Sequence, residues 1–547
     1  MARGKAESFM RGALLLSLAA LVSRLLGALY KPVVARIFAP FDGRGGAAGI
    51  GLTQVPLTTY QVILSFTSVG LNVGISRLVA ERMALGDVHG AKRVFRVSLV
   101  MMAVLGLVAS LLLGIGAPWI ARAISPEVIQ TVPGFRATAP ALLIVSIMAA
   151  YRGLFQGFQQ MAPNANSQII EQVVRVGSGL VLTYFFVQKS VPLGAAGFNF
   201  GDVLGAVAAL GYLLWLVHRA GPGMWELADE AVTAEQELSA RPVEQAWPLI
   251  KRILAVSAPI AIAGAVVPIM MWSDTFFVFR SLAHVGVTGE DAQAQYGLLT
   301  NVFMIAYLPA VFTAAIYTSI LPAMTEAMTL GHMDQARRRA AQAYRMTMLL
   351  AIPAQAGLFV LAGGVYAFLF GDTSGGAVMA AISWAVVPIM LQQTTSGVLQ
   401  GMGRIVLPVR NFVIGALVKA GLTAWWTVLW GINGAAYATA VGFLLATVLN
   451  LVYVEKYLGR ILKTRSMIIK PALASLAMMG LIRLLSGVLS ARIGHGHIAT
   501  VVLIGIGGAA YGVVLLLLGG ARRSELEMLP KVGRPLAAFL ERVHLLR

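Results

Sequence analysis

From Gly12 to Gly520 the chain alternates long apolar runs with short polar breaks. Most runs reach about 20 residues, enough for a helix to cross a hydrocarbon core of about 30 Å. Lipid-facing strands would alternate with a period of two, and these runs do not, so the elements they predict are helices. Fourteen spans are expected, at about residues 12–38, 52–80, 95–120, 134–160, 166–188, 193–217, 253–282, 295–325, 343–370, 376–401, 405–430, 433–455, 467–490 and 498–520. Residues 3–23 place cations ahead of a short apolar run, as a signal peptide does, but the apolar pattern continues past Ser23 and predicts an uncleaved first helix.

The polar breaks set the orientation. An even number of spans puts both termini on one side. The segments on that side carry Arg3, Lys5 and Arg11, then Arg82, Lys92, Arg93 and Arg96, then Arg337 to Arg339, then Lys456, Arg460, Lys463 and Arg465, then Arg522 and Arg523. The opposite loops hold few cations, and the one around Glu290 and Asp291 is acidic. Cytoplasmic termini follow from the positive-inside bias. A final segment, Leu529 to Arg547, sets Leu536, Phe539, Leu540 and Val543 near one face. Both a helix lying on the inner membrane surface and a solvated cytoplasmic helix fit that pattern.

The longest polar break, Arg219 to Trp247, separates six spans from eight, and the sequence repeats across it. "ISRLVAERMALGDVHGAKR" from Ile75 aligns with "ILPAMTEAMTLGHMDQARR" from Ile320, pairing Glu81 with Glu326 and Gly86 with Gly331. "GLFQGF" from Gly153 aligns with "GVLQGM" from Gly397, Arg175 with Lys419, Gly177 with Gly421, and Gly194 with Gly434. Because six is even, both copies start on the same side, which makes a parallel repeat; two-lobed transporters of this kind hold substrate between lobes and rock. The expected fold is an all-α polytopic membrane protein with two pseudo-symmetric six-helix lobes plus two C-terminal helices. Its expected divisions are 1–220 for the first lobe, 221–250 for a cytoplasmic linker, 251–460 for the second lobe and 461–547 for the last two spans and a tail.

Ionisable residues inside a span are costly and mark function by default. Arg24 lies mid-way along the first span, and Lys31 follows seven residues later on the same face, beside Pro32. Arg36, off that face, reads as a snorkelling anchor. Span 5 carries Glu171 and Arg175, spaced for a salt bridge within one helix or for contact with substrate. Its repeat counterpart keeps the cation, Lys419, but has Gly415 in place of the acid. Asp202 in span 6 suits a hydrated kink or an ion site, and span 7 adds Asp274 and Arg280 on different faces. Glu81 and Glu326 fall near cytoplasmic ends, as candidate gating acids. The candidate substrate ligands are therefore Arg24, Lys31, Arg175, Arg280 and Lys419, with Asp202, Glu171, Asp274, Glu81 and Glu326 as candidates for ion coupling or gating. This net cationic interior points to an anionic substrate, and arginine forks suit phosphate.

Composition narrows the function further. Residues are 58% hydrophobic and only 12% charged, about half the charged fraction of a typical soluble protein. The formal charge of +19 sits mostly at the ends of apolar runs, where it meets anionic headgroups rather than nucleic acid. There is no cysteine, so disulfides and thiolate chemistry are excluded. No phosphate-binding loop, zinc-protease motif or nucleophile elbow occurs, so no cofactor, metal or enzymatic reaction is expected.

The stretches "SRLLG" at Ser23, "GISRLVAE" at Gly74, "SDTFFVFR" at Ser273 and "LPAMTEA" at Leu321 resemble the MurJ-type lipid II flippases of the multidrug/oligosaccharidyl-lipid/polysaccharide exporter superfamily, and in particular the branch of stage V sporulation protein B. That resemblance covers spans 1 to 12. It implies a bacterial cytoplasmic-membrane flippase that moves a polyprenyl-diphosphate-linked peptidoglycan precursor to the outer leaflet by alternating access. Membrane lipids and cell-wall synthases would be its partners, and its role would lie in wall growth or sporulation. By position it implies that Arg24 and Arg280 engage the diphosphate, and that spans 13 and 14 form a groove for the lipid tail. At Lys31 the match departs from the family, some of whose members have an arginine beside an acid there. The alternatives are a flippase for another polyprenyl-linked oligosaccharide, a cation-coupled multidrug exporter of the same superfamily, which predicts acids rather than cations in the cavity, and a scaffold without transport.

Overall fold

Glycine, proline and a few side-chain caps decide where the helices end. The computed structural model describes residues 26–27, 30–220, 245–461, 465–493 and 497–520, and among these the regular structure is helical, with no strands. Helix α1 covers residues 30–42. It is followed by α2 (Ala47–Leu64), which runs through a π turn into α3 (Gly70–Ala84), and then by α4 (Val88–Ile124), α5 (Val132–Gly157), α6 (Ala162–Val187) and α7 (Val191–Ala220). After the polar break come α8 (Ala246–His284), α9 (Gly289–Tyr307), α10 (Ala310–Thr329), α11 (Met333–Val360), α12 (Ala362–Phe370), α13 (Gly376–Ser383) and α14 (Val386–Gly401). The last four are α15 (Val406–Trp430), α16 (Ile432–Leu458), α17 (Lys470–Ile493) and α18 (His497–Leu517).

Among the described residues 12 helices or helix runs are long and apolar enough to cross a membrane, or 13 with the bent pair α9–α10 taken as one span. Most of the first expected span, the body of the linker and the amphipathic tail lie outside the described residues. The helices overrun their apolar stretches. Helix α4 is 37 residues long, about 55 Å at 1.5 Å per residue. Its first turns carry Lys92, Arg93 and Arg96, and Asp87 caps it by accepting from the Gly90 amide at 2.6 Å. Two expected spans are broken. Span 8 bends by 47° between α9 and α10, where Pro309 has no amide hydrogen to give. Span 9 stops at Leu361, ahead of Ala362-Gly-Gly, and resumes as α12.

The chain divides into two compact units, Met1–Gly297 and Leu298–Arg547. One scheme of helix pairing recurs in each. In the first unit α3 packs on α4 and α5, α4 on α5, α5 on α7, and α6 on α7, while α8 runs along α2, α3 and α4. In the second, α10 packs on α11 and α14, α11 on α14, α14 on α16, and α15 on α16. Helices α17 and α18 pair with each other and lie against α11.

The repeat extends to single contacts. A Cβ on Gly153 or Gly157 would meet Ile75 or Val79, and one on Gly397 or Gly401 would meet Ile320 or Met324, at the aligned positions. All four of those larger side chains are buried. Small residues four apart thus let the α3–α5 and α10–α14 backbones approach in the same way. The loop after each pair also repeats. The amides of Gln160 and Arg404 return to the carbonyls of Phe155 and Leu399, both at 2.9 Å. The turn places Gln159 at φ 60° and its counterpart Gly403 at φ 75°.

Candidate substrate-binding site

The charges that are out of place in an apolar helix come together in the first unit. Lys31 on α1 is 9% exposed, and its Nζ donates to Gln54 Oε1 on α2 at 3.1 Å. Among the described residues that neutral amide is its hydrogen-bond partner. Tyr30, one position earlier, stacks on Phe198 of α7 with ring centroids 5.2 Å apart. Tyr30, Leu57, Arg175, Val176, Phe198 and Asp202 enclose a narrow crevice.

Glu171 and Arg175 do not pair with each other along α6. Arg175 Nε lies 3.2 Å from Asp202 Oδ1 on α7, and Glu171 accepts from Arg152 Nη2 on α5 at 2.7 Å. Arg152 Nε also donates to Ser167 at 3.0 Å. The cause is the proximity of the neighbouring helices. Cβ atoms on Gly201 and Gly205 would stand 2.7 and 2.6 Å from the carbonyls of Arg175 and Glu171, so α7 lies directly on α6 and brings Asp202 within reach. Gln172 faces Gly27: its Nε2 is 3.4 Å from where a Cβ of Gly27 would be. Gly27 lies three residues after Arg24 in the sequence, and Arg24 falls outside the described residues.

The second unit keeps the cation and loses both acids. Lys419 is fully buried on α15. Gly415 stands at the place of Glu171, and Gly442 at that of Asp202 by the alignment of Gly434 with Gly194. A Cβ on Gly442 would be 2.6 Å from Lys419 Cβ, and one on Gly415 would be 2.4 Å from the Gly442 carbonyl. The helices approach closely in both units, but the two acids of the first are glycines in the second.

The remaining candidates make contacts elsewhere. Arg280 Nη2 donates to the Ala123 carbonyl at 2.9 Å and Nε to that of Ile124 at 3.3 Å, so it caps the C-terminus of α4, where a cation also meets the helix dipole. Its guanidinium sits 3.8 Å over the Phe276 ring. Asp274 is buried on α8 beside a hydroxyl chain in which Thr275 lies 3.1 Å from Thr58 and 2.6 Å from Tyr296. Glu81 pairs with Arg252 of α8 at 2.6 Å, and Glu326 with Arg339 of α11 at 2.9 Å. Each acid is therefore held within its own unit. Reading charges alone missed Gln54, which is neutral, and Arg152, which stands immediately before the repeated "GLFQGF" stretch.

A repeated helix-pairing scheme with cations kept inside its spans defines a class, the multi-pass membrane proteins of exporter fold. The solved structure of the lipid II flippase MurJ in an inward closed conformation matches over 92% of this chain and 98% of its own, with a TM-score of 0.64 and 14% identity. An inward-facing multidrug resistance MATE family transporter of the MOP superfamily matches over 80% and 98%, with a TM-score of 0.61 and 17% identity. The chain belongs to the polysaccharide biosynthesis protein family, whose model matches residues 9–328. It is 30% identical to stage V sporulation protein B of Bacillus subtilis over 96% of this chain and 99% of that protein. Its identity to the lipid II flippase MurJ of the same organism is 25%, over 98% and 99%.

Proposed function

We propose that this protein is a flippase that carries a polyprenyl-diphosphate-linked saccharide, of the peptidoglycan-precursor type, from the inner to the outer leaflet by alternating access, with both termini cytoplasmic. The observation that carries the reading is Lys31, a buried cation whose described partner is an uncharged amide. A charge retained in a span without an acid beside it is expensive, and an anionic substrate supplies what the helix lacks. Arg24, seven residues earlier in the sequence, is the second phosphate ligand, and Lys419 is the buried cation of the second unit. Near-full-length similarity to a lipid II flippase supports this substrate class. Similarity of the same extent to a sporulation protein supports a role in sporulation as well.

The multidrug-exporter fold gives a second reading, export of organic cations. Such a protein needs acids free to hold the cation, whereas Asp202 and Glu171 are engaged by Arg175 and Arg152. Competition binding on the purified full chain separates the two. Polyprenyl diphosphate should displace a labelled lipid-linked sugar, more weakly in Arg24→Ala and Lys31→Ala, and tetraphenylphosphonium should not. Displacement by the organic cation alone would reverse the assignment.

A further inference from the structure

The loops at one end of the first unit enclose a second cavity, away from the crevice beside Arg175. Its volume is about 420 Å³, within the usual range for small-molecule sites of about 300–1,000 Å³. Its lining includes the apolar Phe41, Leu52 and Pro192 and the polar Gln130, Gln188 and Lys189. The lining residues lie at the end of α1, at the starts of α2, α7 and α9, and in the connections after α4 and α6, the side opposite the termini in the topology proposed above.

The acids bordering the cavity are already engaged. Asp42 accepts from the backbone amides of Arg44, Gly46, Ala48 and Gly49 at 2.9–3.2 Å. Glu290 is paired with Arg44 at 2.8 Å. Lys189 makes no side-chain hydrogen bond or ion pair among the described residues. One lysine against two carboxylates is a poor receptor for a diphosphate. Two exposed amides, Gln130 and Gln188, each able to donate and accept, beside an aromatic ring that is 48% exposed, match instead the hydroxyl and acetamido groups and the C–H face of a sugar.

We propose that this cavity binds the saccharide headgroup on the side to which it is delivered, an inference that rests on the flippase reading and deepens it. Saturation-transfer NMR on the full chain in lipid nanodiscs, with N,N′-diacetylchitobiose as the probe, tests it. The expected result is transfer to the acetamido and ring protons, at least fivefold weaker in Phe41→Ala and in a Gln130→Ala/Gln188→Ala double variant, and unaffected by inorganic diphosphate. These side chains are exposed, so the variants should remain monodisperse. Absence of transfer to the wild type, equal transfer to the variants, or displacement by diphosphate would overturn the proposal. Probe binding by a protein that fails to flip lipid-linked sugar would remove the transport reading and leave a glycan site. Flipping without probe binding would remove the site and leave the transport reading.

Discussion

Lys31 and the pair Arg175–Asp202 show two ways of keeping a charge inside an apolar helix, and they predict different responses to mutation. Lys31 is held by an amide, so Lys31→Met should leave the fold intact and remove substrate binding. The check is a melting curve beside a binding isotherm. Arg175→Ala strands the buried Asp202 and should cost about 3 kcal/mol, as for other broken buried pairs, whereas the double change Arg175→Leu/Asp202→Leu should recover most of that. Chemical denaturation in detergent measures both. Gln159 occupies the left-handed region at φ 60° where the repeat has Gly403. Gln159→Gly should therefore raise stability by about 1 kcal/mol through relief of Cβ strain.

Among the helices, glycines separate into those that close a contact and those that do not. A Cβ on Gly297 would fall 1.9 Å from the Ala47 carbonyl, and one on Gly51 2.1 Å from that of Gln293. Gly297→Ala should therefore force α9 off α2 and lower the yield of folded protein. Gly177 and Gly421 have nothing within 4 Å of an added Cβ, so alanine there should be neutral or stabilising by up to about 1 kcal/mol from helix propensity. Thermal unfolding of the three variants checks the contrast.

The helices themselves were legible in the sequence because apolar run length maps directly onto membrane thickness. Their breaks at Pro309 and Leu361 were not, because neither interrupts the hydropathy. The site was half legible. Spacing along α6 shows that Glu171 and Arg175 share a face, yet it says nothing of which neighbour each meets, and both turned to other helices. Arg280 was expected beside substrate. Its donors meet the end of α4, a contact 156 residues away in sequence, which no local pattern could indicate.

For the molecule as a whole, the repeat ties sequence, packing and transport together. The two units share helix pairing, interhelical glycines and a buried cation, but the first unit alone adds counter-charges at Asp202 and Glu171. The net interior charge is thus cationic. Moving an anionic headgroup outward is favoured by an inside-negative potential at about 2.3 kcal/mol per charge per 100 mV, and roughly twice that for two charges. The most direct measurement places labelled undecaprenyl-diphosphate sugar in the cytoplasmic-equivalent leaflet of proteoliposomes, imposes that potential, and follows headgroup exposure on the far side. The account predicts protein-dependent exposure that accelerates with the potential and is lost in Lys31→Ala. Exposure equal in wild type and Lys31→Ala, or none in either, would contradict it.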